Sequence, residues 1–342
     1  MTDNTAPTTG FNRRRFLQIV AVAGAAGACW QLGLFRGDSG LTAARRSLPI
    51  MGTYLNLTVY GRDIDRCEEA IDATFQRMLA LEKELSRHMA TSPLHQLNSS
   101  GTLPAPGREL LAVLRGSLQL SEETDGAFDV TMLPLLTLYS DSGEQGATPA
   151  PAILRQTRTR TTDYRKLQVS AEEVRLSEPN MAVTLDGIAK GYIVDQGVAA
   201  LKAEGFGQVF VDAGGDLMVT GAKPDGSPWR IGIMNPRKDR PFKPVAFPVT
   251  ERAVATSGDY FQAFTPDMRN HHIIDPHTGY SSPELASCTV TAPTAMRADG
   301  LATAVMVLGR HRGLELLETL PGCEGYLIDK QLNGFATSGF FA

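Results

Sequence analysis

Apolar and polar residues alternate with a period of two along Tyr54-Leu55-Asn56-Leu57-Thr58-Val59-Tyr60, which predicts a strand. The period then lengthens. Ile64, Cys67, Ile71, Phe75, Met78, Leu79 and Leu85 recur at helical spacing, with Asp63 placed to cap the helix. A second helix is predicted from about Arg108 to Glu123, stopping near Gly126, and a third from near Ile188 to Gly205. Between them, Tyr139 to Pro151 is rich in Ser, Gly and Pro and predicts a surface loop. Gln208 to Val211 reads as a strand entering a glycine turn at Gly214-Gly215. Short strands are expected around Trp229 to Met234, Arg252 to Thr256, His272 to Ile274 and Thr289 to Ala292. A last helix follows Pro293 and ends at Gly309. Strands and helices mixed without regular βαβ alternation predict an α+β fold rather than a doubly wound sheet.

The N-terminus breaks this pattern. Asn12-Arg13-Arg14-Arg15-Phe16-Leu17-Gln18 precedes an Ala/Gly-rich apolar run reaching about Trp30. Adjacent arginines, then Phe-Leu, then a mildly hydrophobic stretch predict a twin-arginine export signal over residues 1–36. The run is too short and too diluted by Gly and Gln for a membrane span, which takes about 20 strongly apolar residues. Ala28-Cys29 could end a lipoprotein signal, but Ala26 stands where Leu is usual, so lipid anchoring at Cys29 is the lesser expectation. Residues 37–47 are polar and small and are expected to link the leader to a domain over 48–342.

Apolar content of 42% and charged content of 20% suit a globular protein. The whole chain carries a net charge of −4. Removing the leader, with its four Arg and one Asp, leaves −7. An acidic chain without interleaved basic and aromatic tracts argues against nucleic acid. Cys67 falls on the apolar face of the first helix and predicts a core residue. Cys288 and Cys323 could pair in an oxidising compartment, and their spacing does not decide it. No Cys-x-x-Cys motif exists, which disfavours zinc. Gly205-Phe206-Gly207 lacks a third glycine and ends a helix instead of opening one, so it is no dinucleotide fingerprint. No Walker motif is present.

Two segments carry the candidate chemistry. Asp299 and Thr303 stand four apart on a helix within the apolar run Gly300 to Leu308, so both project from one face. A lone Asp in a first turn usually serves the helix dipole, but a carboxylate set among apolar residues needs a partner. An acid with a hydroxyl suits a hard cation such as Mg²⁺. The other segment, His271-His272-Ile273-Ile274-Asp275-Pro276-His277-Thr278-Gly279, gathers imidazoles and an acid at a turn.

With Ala255-Thr256-Ser257-Gly258-Asp259-Tyr260, the His-Ile-Ile-Asp-Pro run and Ala298-Asp299-Gly300-Leu301-Ala302-Thr303 resemble the ApbE family, the FAD:protein FMN transferases. Met51-Gly52-Thr53, Ser86 through Asn98, Gly126-Ala127-Phe128-Asp129, Gly187-Ile188-Ala189-Lys190-Gly191-Tyr192 and Gly214-Gly215-Asp216 match in the expected order, so the resemblance runs from about Leu48 to the end. It implies one compact, T-fold-like α+β domain with a central cleft. It also implies FAD as substrate, Mg²⁺ as cofactor, and an acceptor flavoprotein carrying a Ser or Thr. The implied acceptors are exported segments of membrane redox complexes or of nitrous-oxide-reduction regulators.

The resemblance assigns Asp299 and Thr303 as metal ligands, with a third from the backbone carbonyl of Gly187 or, failing that, Ala189. Met51, Ala127, Phe128, Asp129, Lys190 and Ile273 are implied at the flavin, Ile273 through its backbone, and Thr256, Ser257 and Gly258 at the pyrophosphate. His272 occupies the position of the acid/base group, while His271 and His277 are expected to be spectators. Three departures stand out. His88 replaces a flavin-pocket aromatic, Ala302 replaces an acid before the Thr, and the usual Asp falls on Thr184 while Asp186 takes a normally small position. The last departure is similar to the nitrous-oxide-reductase accessory branch. A Mg²⁺-dependent FAD pyrophosphatase and a non-enzymatic flavin carrier are the rival functions.

Overall fold

The structure is a computed structural model, and it describes residues 40–144 and 147–342. The leader over 1–36 and the twin-arginine pair lie outside the described residues. Eight strands form one antiparallel sheet in the order β1-β2-β6-β7-β10-β11-β12-β13. They are β1 (Thr42–Ile50), β2 (Thr53–Gly61), β6 (Val209–Ala213), β7 (Asp216–Thr220), β10 (Arg252–Gly258), β11 (Leu285–Ala292), β12 (Glu324–Asp329) and β13 (Gly334–Ala336). A small sheet joins β3 (Thr102–Pro104), β5 (Glu173–Leu176) and β4 (Leu167–Val169), and a two-stranded ribbon joins β8 (Trp229–Ile233) to β9 (Val245–Val249).

Helices cover one face of the large sheet. These are α1 (Ile64–Leu85), α6 (Ala189–Ala203) and α7 (Ala295–Thr319), which pack on one another and on the strands. Asp63 caps α1 through its carboxylate, which accepts from the Asp65 and Arg66 N–H groups. Around them lie α2 (Pro93–Ser100), α3 (Arg108–Glu123), α4 (Leu133–Glu144) and α5 (Pro151–Thr161). Alternation along the strands separates two cores. Ala253 and Ala255 of β10 face the helices, while Val254, with Leu217 and Val219 of β7, faces Trp229, Phe247 and Val249 of the ribbon. Strand β11 is buried along its full length because both faces are covered.

The expected α+β class, the strand at 54–60, the helix at 108–123 and the buried Cys67 are all present. Other expectations need correction. Residues 42–47 are strand, not linker: β1 pairs with β2 along its whole length. Of its nine residues only Ala44 and Ile50 are buried, so an edge strand with arginines turned outward shows little apolar alternation. The surface loop expected from Tyr139 is helix as far as Glu144, and Tyr139 is buried with its hydroxyl donating to the Gly279 carbonyl at 3.1 Å. No strand forms at His272–Ile274, where only the bridges Ala263–His271 and Ile274–Ser281 occur. The last helix breaks at Gly309, where φ is 77° and ψ −177°, but resumes to Thr319, with Glu284 accepting from the Arg310 N–H at 3.2 Å. Cys288 and Cys323 are both buried and free.

Candidate active site

The centre lies where the first turns of α6 and α7 meet. Asp195 of α6 accepts from the Ala295 and Met296 N–H groups at 2.7 and 2.9 Å, which seats the start of α7 against α6. Burial raises the Asp195 carboxyl to about 6. Gly191 is required at the crossing, since a Cβ there would strike the Ala295 carbonyl. Its N–H donates to Asp299 Oδ2 at 3.1 Å.

Asp299 is 4% exposed. Burial first, and then the negative Asp216, push its carboxyl well above the usual range, while Lys190 opposes them. Lys190 itself forms an ion pair with the buried Asp216. Burial disfavours the Lys190 charge, but Asp216 and Asp299 outweigh it and hold the ammonium protonated.

One turn further along α7, Thr303 Oγ1 lies 3.1 Å from Ser257 Oγ on β10. Gly187 is wedged beside it: a Cβ at that position would lie 3.0 Å from Thr303 Oγ1 and 3.6 Å from the Phe128 ring. The strap carrying Gly187 is anchored from both sides. Asn98 exchanges two hydrogen bonds with Val183, at 2.7 and 2.8 Å, and the Thr184 N–H donates to the Val130 carbonyl at 2.8 Å. Asp186, the displaced acid, reaches out to Arg87 Nε at 2.9 Å.

His272 lines the same cleft. Its Nδ1 lies 3.1 Å from the Gln262 carbonyl, which also accepts its backbone N–H at 3.0 Å. A carbonyl only accepts, so Nδ1 carries the proton and Nε2 keeps a free lone pair. Burial lowers the ring's pKa, so the imidazole is neutral at pH 7. His271 points the other way and is fully buried, with Nε2 2.9 Å from the Ser282 carbonyl and Nδ1 accepting from the Ile273 N–H.

All the sequence-predicted site residues except Gly258 line one cleft. Gly258 is buried at the end of β10 beneath the Tyr260 ring. Within the cleft the residues differ in what they offer. Met51 has φ of 49° and donates its N–H to Glu82 at 2.7 Å, leaving its side chain half-buried. His88 is exposed, Ala127 and Phe128 are buried, and Thr256 bonds Thr289 across the β10–β11 pair at 2.8 Å. Asp129 is turned inward, accepting from the Thr131 N–H and hydroxyl and from the Tyr164 N–H at 2.6–2.9 Å. The backbone N–H and C=O of Ile273 are likewise bonded, to His271 and Ser282.

Sequence reasoning missed the supports. Glu82, Asp195, Asp216 and Arg237 were given no role, yet each orients a cleft residue or its neighbour. Arg237 grips the fully buried Asp259 with two bonds of 2.6 and 2.8 Å, joined there by Lys330. An arginine in a Pro- and Lys-rich loop gives no local sign of a partner 22 residues away.

Among the described residues no three His, Cys, Asp or Glu side chains gather as a metal site. The residues that would hold a cation here are Asp299 and Thr303, through carboxylate and hydroxyl, with backbone oxygens near Gly187. That oxygen set fits Mg²⁺, and a buried carboxylate with too little compensating charge is what such a cation relieves.

Residues 51–327 match the model of the ApbE family. The chain is 31% identical over 300 residues to the FAD:protein FMN transferase of Vibrio cholerae, covering 85% of this chain and 90% of that one. It is 30% identical over 296 residues to the enzyme of the same name from Escherichia coli K12, covering 84% of each. Among solved structures, the flavin transferase ApbE from Vibrio cholerae superposes with a TM-score of 0.75 at 30% identity, over 88% of this chain and 98% of that one. The ApbE protein of Thermotoga maritima gives 0.78 at 26% identity, over 87% and 98%. Agreement of sequence and fold across most of both partners in each comparison places the chain in the ApbE family.

Proposed function

We propose that this protein is a Mg²⁺-dependent FAD:protein FMN transferase that moves FMN from FAD to a Ser or Thr hydroxyl of an acceptor flavoprotein and releases AMP. The observation that carries the reading is a neutral His272, with Nε2 free to accept a proton, lining the same cleft as Asp299, Thr303 and Lys190. In the reaction the acceptor oxygen bonds to the FMN-side phosphorus, the pyrophosphate P–O bond breaks toward AMP, and the hydroxyl proton passes to His272 Nε2. Asp299 and Thr303 would hold Mg²⁺, with a carbonyl at Gly187. When bound, the ion supplies charge neutralisation on the pyrophosphate. Lys190 adds a fixed positive charge, and the Ser257 and Thr256 hydroxyls stand ready to donate to phosphate oxygens. Phe128 and Met51 offer apolar contact to the isoalloxazine ring, with His88 at the edge.

The twin-arginine pattern of the leader supports export by that machinery, and we infer that this chemistry takes place outside the cytoplasm, on the periplasmic side. The testing experiment is incubation with FAD, Mg²⁺ and an exported acceptor domain, read by intact mass and by AMP release. The expected result is acceptor mass raised by one FMN, with AMP in equal amount. Free FMN without acceptor modification would mean a pyrophosphatase, and no AMP at all would mean a flavin carrier.

A further inference from the structure

The cleft is larger than its flavin chemistry needs. Its volume is about 2910 Å³, against roughly 300–1,000 Å³ for ordinary small-molecule sites. Part of its wall is the β8–β9 ribbon. Trp229 through Met234 line the cleft one after another, and no residue of β9 does. Successive residues of a strand alternate faces, so an unbroken run of lining residues means that the cleft meets the strand along its edge.

Among the described residues that edge is free, and β8 pairs only with β9 in a two-stranded sheet. Arg230 is opposite Pro248, which has no N–H, so the ladder bonds fall at Trp229, Ile231 and Ile233. The backbone N–H and C=O of Arg230 and Gly232 therefore point away from β9, and among the described residues neither has another backbone partner. Both residues are exposed, and a Cβ on Gly232 would meet nothing within 4 Å. The ribbon itself is firmly seated, with Trp229, Phe247 and Val249 buried against the large sheet. A rigid strand with an open edge is a template for a further strand.

Charge selects what that strand is. Residues 221–245 carry six Lys or Arg and two Asp, in a chain whose net charge is −4. Arg237 is committed to Asp259, and Arg240 donates to the Lys330 and Gln331 carbonyls. Arg230 and Lys238 line the cleft and have no ion-pair partner among the described residues. Exposed Met234 and Phe261 on the same cleft offer apolar contact.

We propose that an extended, acidic segment of the acceptor protein docks on the free edge of β8 as an added strand, guiding its hydroxyl into the cleft. This rests on the transferase reading for the identity of the partner. The main-chain bonds supply affinity independent of sequence, and Arg230 and Lys238 supply the preference for acidic neighbours.

The test uses a labelled synthetic peptide of about ten residues, twice a common strand length, in which Glu alternates with Val and one Thr. A twin carries Lys for Glu. Fluorescence anisotropy with the full exported chain should show the Glu peptide bound and the Lys peptide at least tenfold weaker. Gly232→Pro removes an outward N–H without touching the β8–β9 ladder and should weaken binding at least tenfold, while Gly232→Ala should not. FAD binding should be the same in both variants. Arg230→Glu with Lys238→Glu should reverse the preference between the two peptides, which keeps the test intact if the proline variant folds poorly. No binding of the Glu peptide by the wild-type chain, or equal binding by Gly232→Pro, overturns the proposal. So does a concentration-dependent dimer abolished by Gly232→Pro, since the edge would then belong to a second copy. A peptide that binds at β8 but gains no FMN mass counts against the transferase reading and leaves the docking edge standing.

Discussion

Asp299 and His272 differ in their electrostatics. Asp299 is a carboxylate that its surroundings do not want charged, because burial and Asp216 both disfavour the anion. Asp299→Asn should therefore leave thermal stability unchanged or raise it. Mg²⁺-dependent AMP release should fall on the order of a thousandfold, the loss of several kcal/mol of transition-state stabilisation. Near-wild-type rates at limiting Mg²⁺ would refute the metal assignment. His272 has the opposite character: a neutral ring with its proton fixed on Nδ1. His272→Ala should still bind FAD and lose roughly a hundred- to ten-thousandfold in rate, the usual worth of a positioned acid/base group. His88→Ala is the contrast, expected to weaken flavin binding more than turnover at saturating FAD. If His272→Ala loses FAD affinity and keeps its saturated rate, the residue is a binding contact only. Both residues were legible in the sequence by spacing and by resemblance. Their charge states were not, because burial sets both and, for Asp299, the distant Asp216 adds to it, and each acts only in the folded chain.

At the scale of elements, the loop that carries His272 shows how little local sequence says about a segment built from tertiary contacts. A short strand is expected at 272–274, but the loop is held instead by Tyr139 on α4, by Ser281 and by the buried His271. His271 is no bystander to stability. Burial lowers its pKa from 6.5 to about 4. Between those values the unfolded chain binds a proton that the folded chain refuses, so stability falls as pH drops from about 6.5 toward 4. The amount is on the order of 3 kcal/mol, at about 1.4 kcal/mol per unit. Chemical denaturation at pH 7 and pH 4.5 should show this loss, and His271→Gln, which cannot titrate, should show a flatter profile. An identical pH slope in the two proteins would remove His271 from that role. The helices were easier to read than this loop, since α1, α3 and α6 each carry an apolar stripe. Strand β1 hid for the opposite reason, with seven of its nine positions turned to solvent or half-exposed.

Over the whole molecule, the leader and the domain are separable predictions. Replacing Arg13 and Arg14 with Lys should retain the precursor in the cytoplasm, measured by fractionation and by the uncleaved mass. Normal export of that variant would point to the general secretory route. Within the domain, the sequence by itself determined the α+β class, the helices with clean apolar periodicity, the family, and a set of site residues of which all but Gly258 face the cleft. These depend on local pattern or on short motifs, which survive in one dimension. Tertiary structure alone decided the rest. It brought the N-termini of α6 and α7 together over Gly191 and paired Lys190 with Asp216. It fixed the tautomer of His272, turned Asp129 inward and Asp186 outward, and left the edge of β8 open to the cleft. Each of these is settled by partners distant in sequence, through burial, charge and backbone hydrogen bonds that form only once the chain has closed on itself.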